Sequence, residues 1–112
     1  MGVSKKLTKK DYKFLIELEE LLYERKEDMP KGSYTTSMYK KGLDKIAQKV
    51  GEEAVETVIA SKNEGDGETI AEAADLMFHL MLLLAEKEIP MHKVIKLLRK
   101  RHSKGDHKHI GE

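Results

Sequence analysis

Leu76-Met77-Phe78-His79-Leu80-Met81-Leu82-Leu83-Leu84-Ala85 is the most apolar run of the chain. It lies in a helical pattern from about Glu68 to Lys87, whose narrow polar stripe is Glu72, Asp75 and His79, continued by Glu68 and Glu86 at the ends. A helix that is apolar nearly all round is buried on most sides. The run is interrupted by His79 and falls far short of the ~20 residues that cross a bilayer. It therefore reads as the centre of a helical bundle.

Asn63–Gly67 is a loop by composition, and a second long helix precedes it, from about Leu43 to Lys62. On a wheel at about 100° per residue, Leu43, Ile46, Ala47, Val50, Ala54, Val55, Val58 and Ile59 cover more than half of that helix. Further upstream, Gly42 marks a bend, and a short helical piece is expected to begin near Thr36 or Ser37. The first helix starts at Thr8-x-x-Asp11, which resembles a capping box with Asp for Glu. It carries Phe14, Leu15, Leu18, Leu21 and Leu22 at helical spacing, and Met29-Pro30-Lys31-Gly32 ends it. Pro90 opens a last amphipathic helix with Met91, Val94, Ile95, Leu97 and Leu98 as its stripe. No strand-like alternation survives over five residues, and no internal repeat is present. The expected class is all-α, a helical bundle of four to five helices. Residues 1–101 form a single domain in this reading, and 102–112 a flexible C-terminal tail. The tail's His102, His107 and His109 resemble a metal-binding tract by composition only and are read as part of that tail.

The 112 residues hold one domain's worth of core. At 37%, charged residues exceed the roughly 25% of an average domain, yet 21 basic and 20 acidic side chains nearly cancel. That balance excludes polyanion binding by bulk positive charge and argues against a disordered chain. The absence of Cys excludes a disulfide scaffold, a thiolate metal site and a Cys nucleophile. The first ten residues are basic but lack the apolar segment of a secretory signal. The expectation is a cytoplasmic protein with neither nucleic acid nor membrane as partner.

Two acidic clusters stand out. The polar arc of the Leu43–Lys62 helix holds Lys45, Lys49, Glu52, Glu53 and Glu56. Glu52 and Glu53 each lie within one turn of Glu56, so the carboxylates repel and call for a positive partner. On the following helix, Glu72 and Asp75 are i,i+3 neighbours and can grip one object together. Such groups are often just a solvated face, and for the first cluster alone that reading weighs equally. Two clusters on consecutive helices, which antiparallel packing brings together, favour a shared site. Hard oxygen ligands suit Mg²⁺, with Mn²⁺ possible, over zinc, and Mg²⁺ suits phosphoryl or pyrophosphate chemistry. His79, alone on an apolar helix, reads as a hydrogen-bonded structural residue or, at most, one that orients a ligand.

The residues Arg25-Lys26, Pro30-Lys31-Gly32-Ser33-Tyr34-Thr35, Gly42-Leu43-Asp44-Lys45-Ile46, Lys49-Val50-Gly51-Glu52-Glu53-Ala54-Val55-Glu56 and Glu72-Ala73-Ala74-Asp75-Leu76-x-x-His79-Leu80 resemble, in order, the phosphoribosyl-ATP pyrophosphatases of histidine biosynthesis. The acidic pairs alone are shared with the wider MazG-like superfamily of all-α nucleotide pyrophosphatases; the Gly-Ser-Tyr-Thr segment narrows the match. The resemblance implies a homodimer that hydrolyses phosphoribosyl-ATP to phosphoribosyl-AMP and pyrophosphate with Mg²⁺, here in the stand-alone form. It implies Glu53, Glu56, Glu72 and Asp75 as metal ligands, and Glu52 as a further ligand or the group orienting the attacking water. Lys49, the hydroxyls and backbone N–H groups of Gly32, Ser33, Tyr34 and Thr35, and the charges of Arg25 and Lys26 are then candidates for holding phosphate. Gly32 serves equally as a helix stop in this reading, and Tyr34 as a buried anchor. The alternative function is a house-cleaning nucleoside triphosphate pyrophosphatase with the same metal site. A non-enzymatic helical dimer is the third.

Overall fold

The computed structural model describes residues 6–63 and 65–103. His107 and His109 lie outside the described residues. Five helices follow in order: α1 (Lys9–Asp28), α2 (Tyr34–Lys41), α3 (Leu43–Ser61), α4 (Gly67–Glu86) and α5 (Met91–Ser103). No strand occurs among the described residues, so the all-α expectation holds.

The capping box forms as its sequence requires. Thr8 Oγ1 accepts from the Asp11 N–H at 3.3 Å, and the Asp11 carboxylate accepts from the Thr8 N–H at 2.8 Å. Met29 closes α1 in the left-handed conformation, and Gly32 (φ +81°) carries the chain round to the next helix. The second helix starts two to three residues earlier than its hydroxyl-rich sequence suggests. Ser33 is the N-cap, its Oγ accepting from the Thr36 N–H at 3.2 Å, which pulls Tyr34 and Thr35 into the first turn. Arg25 donates to the same Oγ at 3.1 Å, tying the cap to α1. Ser33→Ala is expected to cost about 1 kcal/mol, read as a fall in Tm of ~4–8 °C; an unchanged melting curve would remove the cap from this account.

α3 and α4 make the most extensive helix contact of the molecule, and α1 and α2 pack across them. Leu22, Met38, Ile46 and Leu82, one from each of these four helices, are fully buried, with Tyr39, Met81 and Ala85 around them. Tyr39 donates its hydroxyl to Leu22 O at 2.8 Å, and burial pushes its pKa up to about 12. The end of α4 is held by tertiary contacts. Lys26 Nζ donates to Ala85 O at 3.2 Å and Glu86 O at 2.8 Å, and pairs with Glu88 at 3.3 Å. Its charge is thus engaged at a helix C-terminus. Glu19 of α1 accepts from the Met91 N–H at 2.8 Å, capping α5 across the fold.

The four-helix core leaves much apolar surface uncovered. Val55, Val58 and Ile59 of α3 are 57–59% exposed, and Ile70, Met77 and Leu80 of α4 are also exposed. The α5 stripe of Val94, Ile95, Leu97 and Leu98 is exposed too, and no residue of α5 is buried. Monomeric proteins rarely leave patches of this kind open.

Candidate metal and phosphate site

The contact between α3 and α4 brings the two acidic stretches face to face. Glu53, Glu56 and Glu72 each place a carboxylate oxygen within 4.8 Å of the others. Glu53 is 5% exposed, Glu72 half-buried and Glu56 exposed, so the trio opens outward from a buried floor. Asp75 lies one helical turn after Glu72, exposed and outside the closest trio. One oxygen each of Glu53 and Glu72 is buried without a hydrogen-bond partner. A buried carboxylate oxygen in that state is costly unless something donates to it or coordinates it. These orphaned oxygens, converging from two helices, fit a hard divalent cation.

The electrostatics agree. Burial and the neighbouring carboxylates of Glu53 and Glu56 raise the Glu72 carboxyl above its ordinary range. The folded protein therefore holds more protons here than the unfolded chain, and this contribution to stability is lost as pH rises through the raised value. Metal-free protein is expected to lose melting temperature attributable to Glu72 as pH rises from the ordinary carboxylate range through the raised value. Comparison with Glu72→Gln isolates this contribution, and added Mg²⁺ should offset it by pairing the charges. A pH profile identical in wild type and Glu72→Gln would contradict the crowding.

Lys49 supplies the local counter-charge. Its Nζ lies 3.4 Å from Glu53 Oε2 and 3.5 Å from Glu52 Oε1. Burial opposes its charge, but the hydrogen bond and charge of Glu53 win and raise its pKa. Glu52 itself is exposed. A 2.7 Å hydrogen bond from Gln48 and the Lys49 ammonium hold its carboxyl below the usual range, so it stays ionised. Gln48 was not singled out by the sequence reading. Its signal was the i,i+4 spacing to Glu52, an amide–carboxylate pairing that helices favour.

Gly32, Ser33 and Tyr34 line a surface depression of about 450 Å³ with Lys31, Thr36, Ser37 and Lys40. Lys31, Lys40 and the start of α2 make this depression electropositive. Thr35 is instead 7% exposed and turned inward, and Arg25 reaches the segment through Ser33. Thr36 is 3% exposed, and its Oγ1 is buried without a partner. The depression meets α4 through Tyr34, whose hydroxyl lies 2.9 Å from His79 Nε2, one turn beyond Asp75. Tyr34 is 50% exposed, so its ring is not a buried anchor although its hydroxyl is held. This pairing joins residues 45 positions apart, which no local pattern reveals.

The family model described as Phosphoribosyl-ATP pyrophosphohydrolase matches residues 15–102. The chain is 50% identical over 90 residues to a phosphoribosyl-ATP pyrophosphatase of Leptospira biflexa, covering 80% of this chain and 98% of that protein. It is 49% identical over 82 residues to one from Methanocella arvoryzae, covering 71% and 86%. Against the histidine biosynthesis bifunctional protein HisIE of Bacillus subtilis it is 51% identical over 87 residues, 78% of this chain. It spans only 42% of that longer relative.

Proposed function

The chain belongs to the phosphoribosyl-ATP pyrophosphohydrolase family, and on that premise we propose that it is the hydrolase of histidine biosynthesis that splits phosphoribosyl-ATP into phosphoribosyl-AMP and pyrophosphate. The observation that carries this reading is the partly buried trio Glu53, Glu56 and Glu72, with orphaned oxygens, on helices that also present Asp75. These four carboxylates would hold Mg²⁺, which supplies charge neutralisation at the phosphates and a more acidic bound water.

The chain's own groups do the rest. Lys49 pairs with the buried Glu53 and holds its carboxylate in place. Glu52, fixed by Gln48 and Lys49, is an ionised acceptor at the rim, suited to orienting the attacking water between the α- and β-phosphates. The main chain and Ser33 at the start of α2, braced by Arg25 and flanked by Lys31 and Lys40, would receive phosphate oxygens. The uncovered faces of α3, α4 and α5 support assembly as a homodimer, which would enclose the open site. No helix among the described residues is long and apolar enough to cross a membrane, which accords with a cytoplasmic enzyme of small-molecule metabolism.

The test is turnover of phosphoribosyl-ATP with Mg²⁺, compared with deoxynucleoside triphosphates. Pyrophosphate release from phosphoribosyl-ATP at the higher kcat/KM is the expected result. Preference for the deoxynucleotides would move the chain to the house-cleaning function, and calorimetry without Mg²⁺ binding would remove the metal site.

A further inference from the structure

His79 is 6% exposed, and both of its ring nitrogens are engaged. Nδ1 lies 2.8 Å from the main-chain oxygen of Asp75, and Nε2 lies 2.9 Å from the hydroxyl of Tyr34. A carbonyl oxygen only accepts, so Nδ1 carries the proton. In the neutral ring Nε2 is then a lone pair, and the Tyr34 hydroxyl must donate to it. The imidazole is fixed edge-on to both Tyr34 and Phe78, with ring centroids at 5.8 and 5.2 Å. The phenol has one proton, and that proton is committed. The capacity left to the oxygen of this half-exposed residue is to accept, and the bond it already donates polarises it for that.

That polarity matters for the substrate. Ionised phosphates only accept hydrogen bonds, so they gain nothing from such an oxygen. The donors of phosphoribosyl-ATP are its sugar hydroxyls and base N–H. We propose that His79 is a positioning residue that orients Tyr34 as a hydrogen-bond acceptor for the nucleoside part of the substrate, not for its phosphates. This rests on the phosphoribosyl-ATP reading above. It divides the Gly32–Thr35 segment between two tasks: the main chain and Ser33 face phosphate, and the Tyr34 hydroxyl reads the sugar or base. It also links the segment to the helix that carries Glu72 and Asp75, so substrate and carboxylates share one frame.

The experiment compares Tyr34→Phe, His79→Phe, His79→Gln and the double Phe variant in full-length protein. Tyr34→Phe and His79→Phe should each raise KM for phosphoribosyl-ATP about three- to tenfold, the worth of one neutral hydrogen bond, with kcat nearly unchanged. The double variant should be no worse than Tyr34→Phe alone, because His79 acts through Tyr34. His79→Gln offers an amide oxygen to the hydroxyl and should recover most of the KM. Inhibition by inorganic pyrophosphate should not change in Tyr34→Phe. Weakening of that inhibition in step with KM, or additive losses in the double variant, would overturn the proposal. So would a nitrogen NMR spectrum showing His79 protonated at Nε2, with or without a proton on Nδ1. That spectrum is independent of substrate. Wild-type protein inactive on phosphoribosyl-ATP would overturn the parent reading and the nucleoside contact, while leaving the Tyr34–His79 bond observable.

Discussion

Glu56→Gln should lower turnover of phosphoribosyl-ATP by about 10³-fold, since several kcal/mol of charge stabilisation depend on the bound ion. The substitution preserves shape and removes one charge from three crowded carboxylates. Glu56 is the exposed member of the trio, so its side chain contributes little packing. The melting temperature of the metal-free variant should therefore hold or rise, because Glu56 is one of the charges that disfavour ionised Glu72. Calorimetric titration should show Mg²⁺ affinity lost along with activity. This pairing of lost function with kept or gained stability separates a ligand from a structural residue. Undiminished turnover in Glu56→Gln would remove the carboxylate cluster from the mechanism, and a large fall in stability would make it a fold element.

The second large effect concerns assembly. Ile59 is 57% exposed on α3, on the open face with Val55 and Val58. If that face is covered by a second copy through a two-fold axis, each substitution acts twice. Removing a buried Ile forfeits about 1.5–3 kcal/mol, so two copies forfeit ~3–6 kcal/mol, or roughly 10²–10⁴-fold in the dimer dissociation constant. Ile59→Glu adds the cost of burying charge. Sedimentation should show a dimer for the wild type and a monomer for Ile59→Glu at micromolar protein. The wild type's Tm should rise with protein concentration, and the variant's should not. A wild type that sediments as a monomer would remove the dimer from the proposal.

The sequence carried the helices because their signals are local. The capping box, the apolar run of α4 and the Met29–Gly32 break all lie within a few residues of what they control. The exception is α2, whose start depends on Ser33 being held by Arg25 from another helix. The acidic residues were legible by wheel position, and the antiparallel hairpin of α3 and α4 brought three of them together. Lys26 was less legible. Its sequence neighbour Arg25 turns toward Ser33, while Lys26 turns to the end of α4. Adjacent positions on a helix point about 100° apart, so one basic pair supplies two unrelated contacts.

The sequence by itself determined an all-α chain and most of the breaks between its helices, and it singled out two acidic stretches on consecutive helices. Helical periodicity and turn chemistry act over one or two turns, and those are written in order along the chain. Only the tertiary structure decided which carboxylate oxygens are buried without a partner, that Thr35 faces inward, and that the hydroxyl of Tyr34 is held by His79. These depend on depth and on contacts between distant segments, where the desolvation of a polar atom, not its spacing, sets its chemistry.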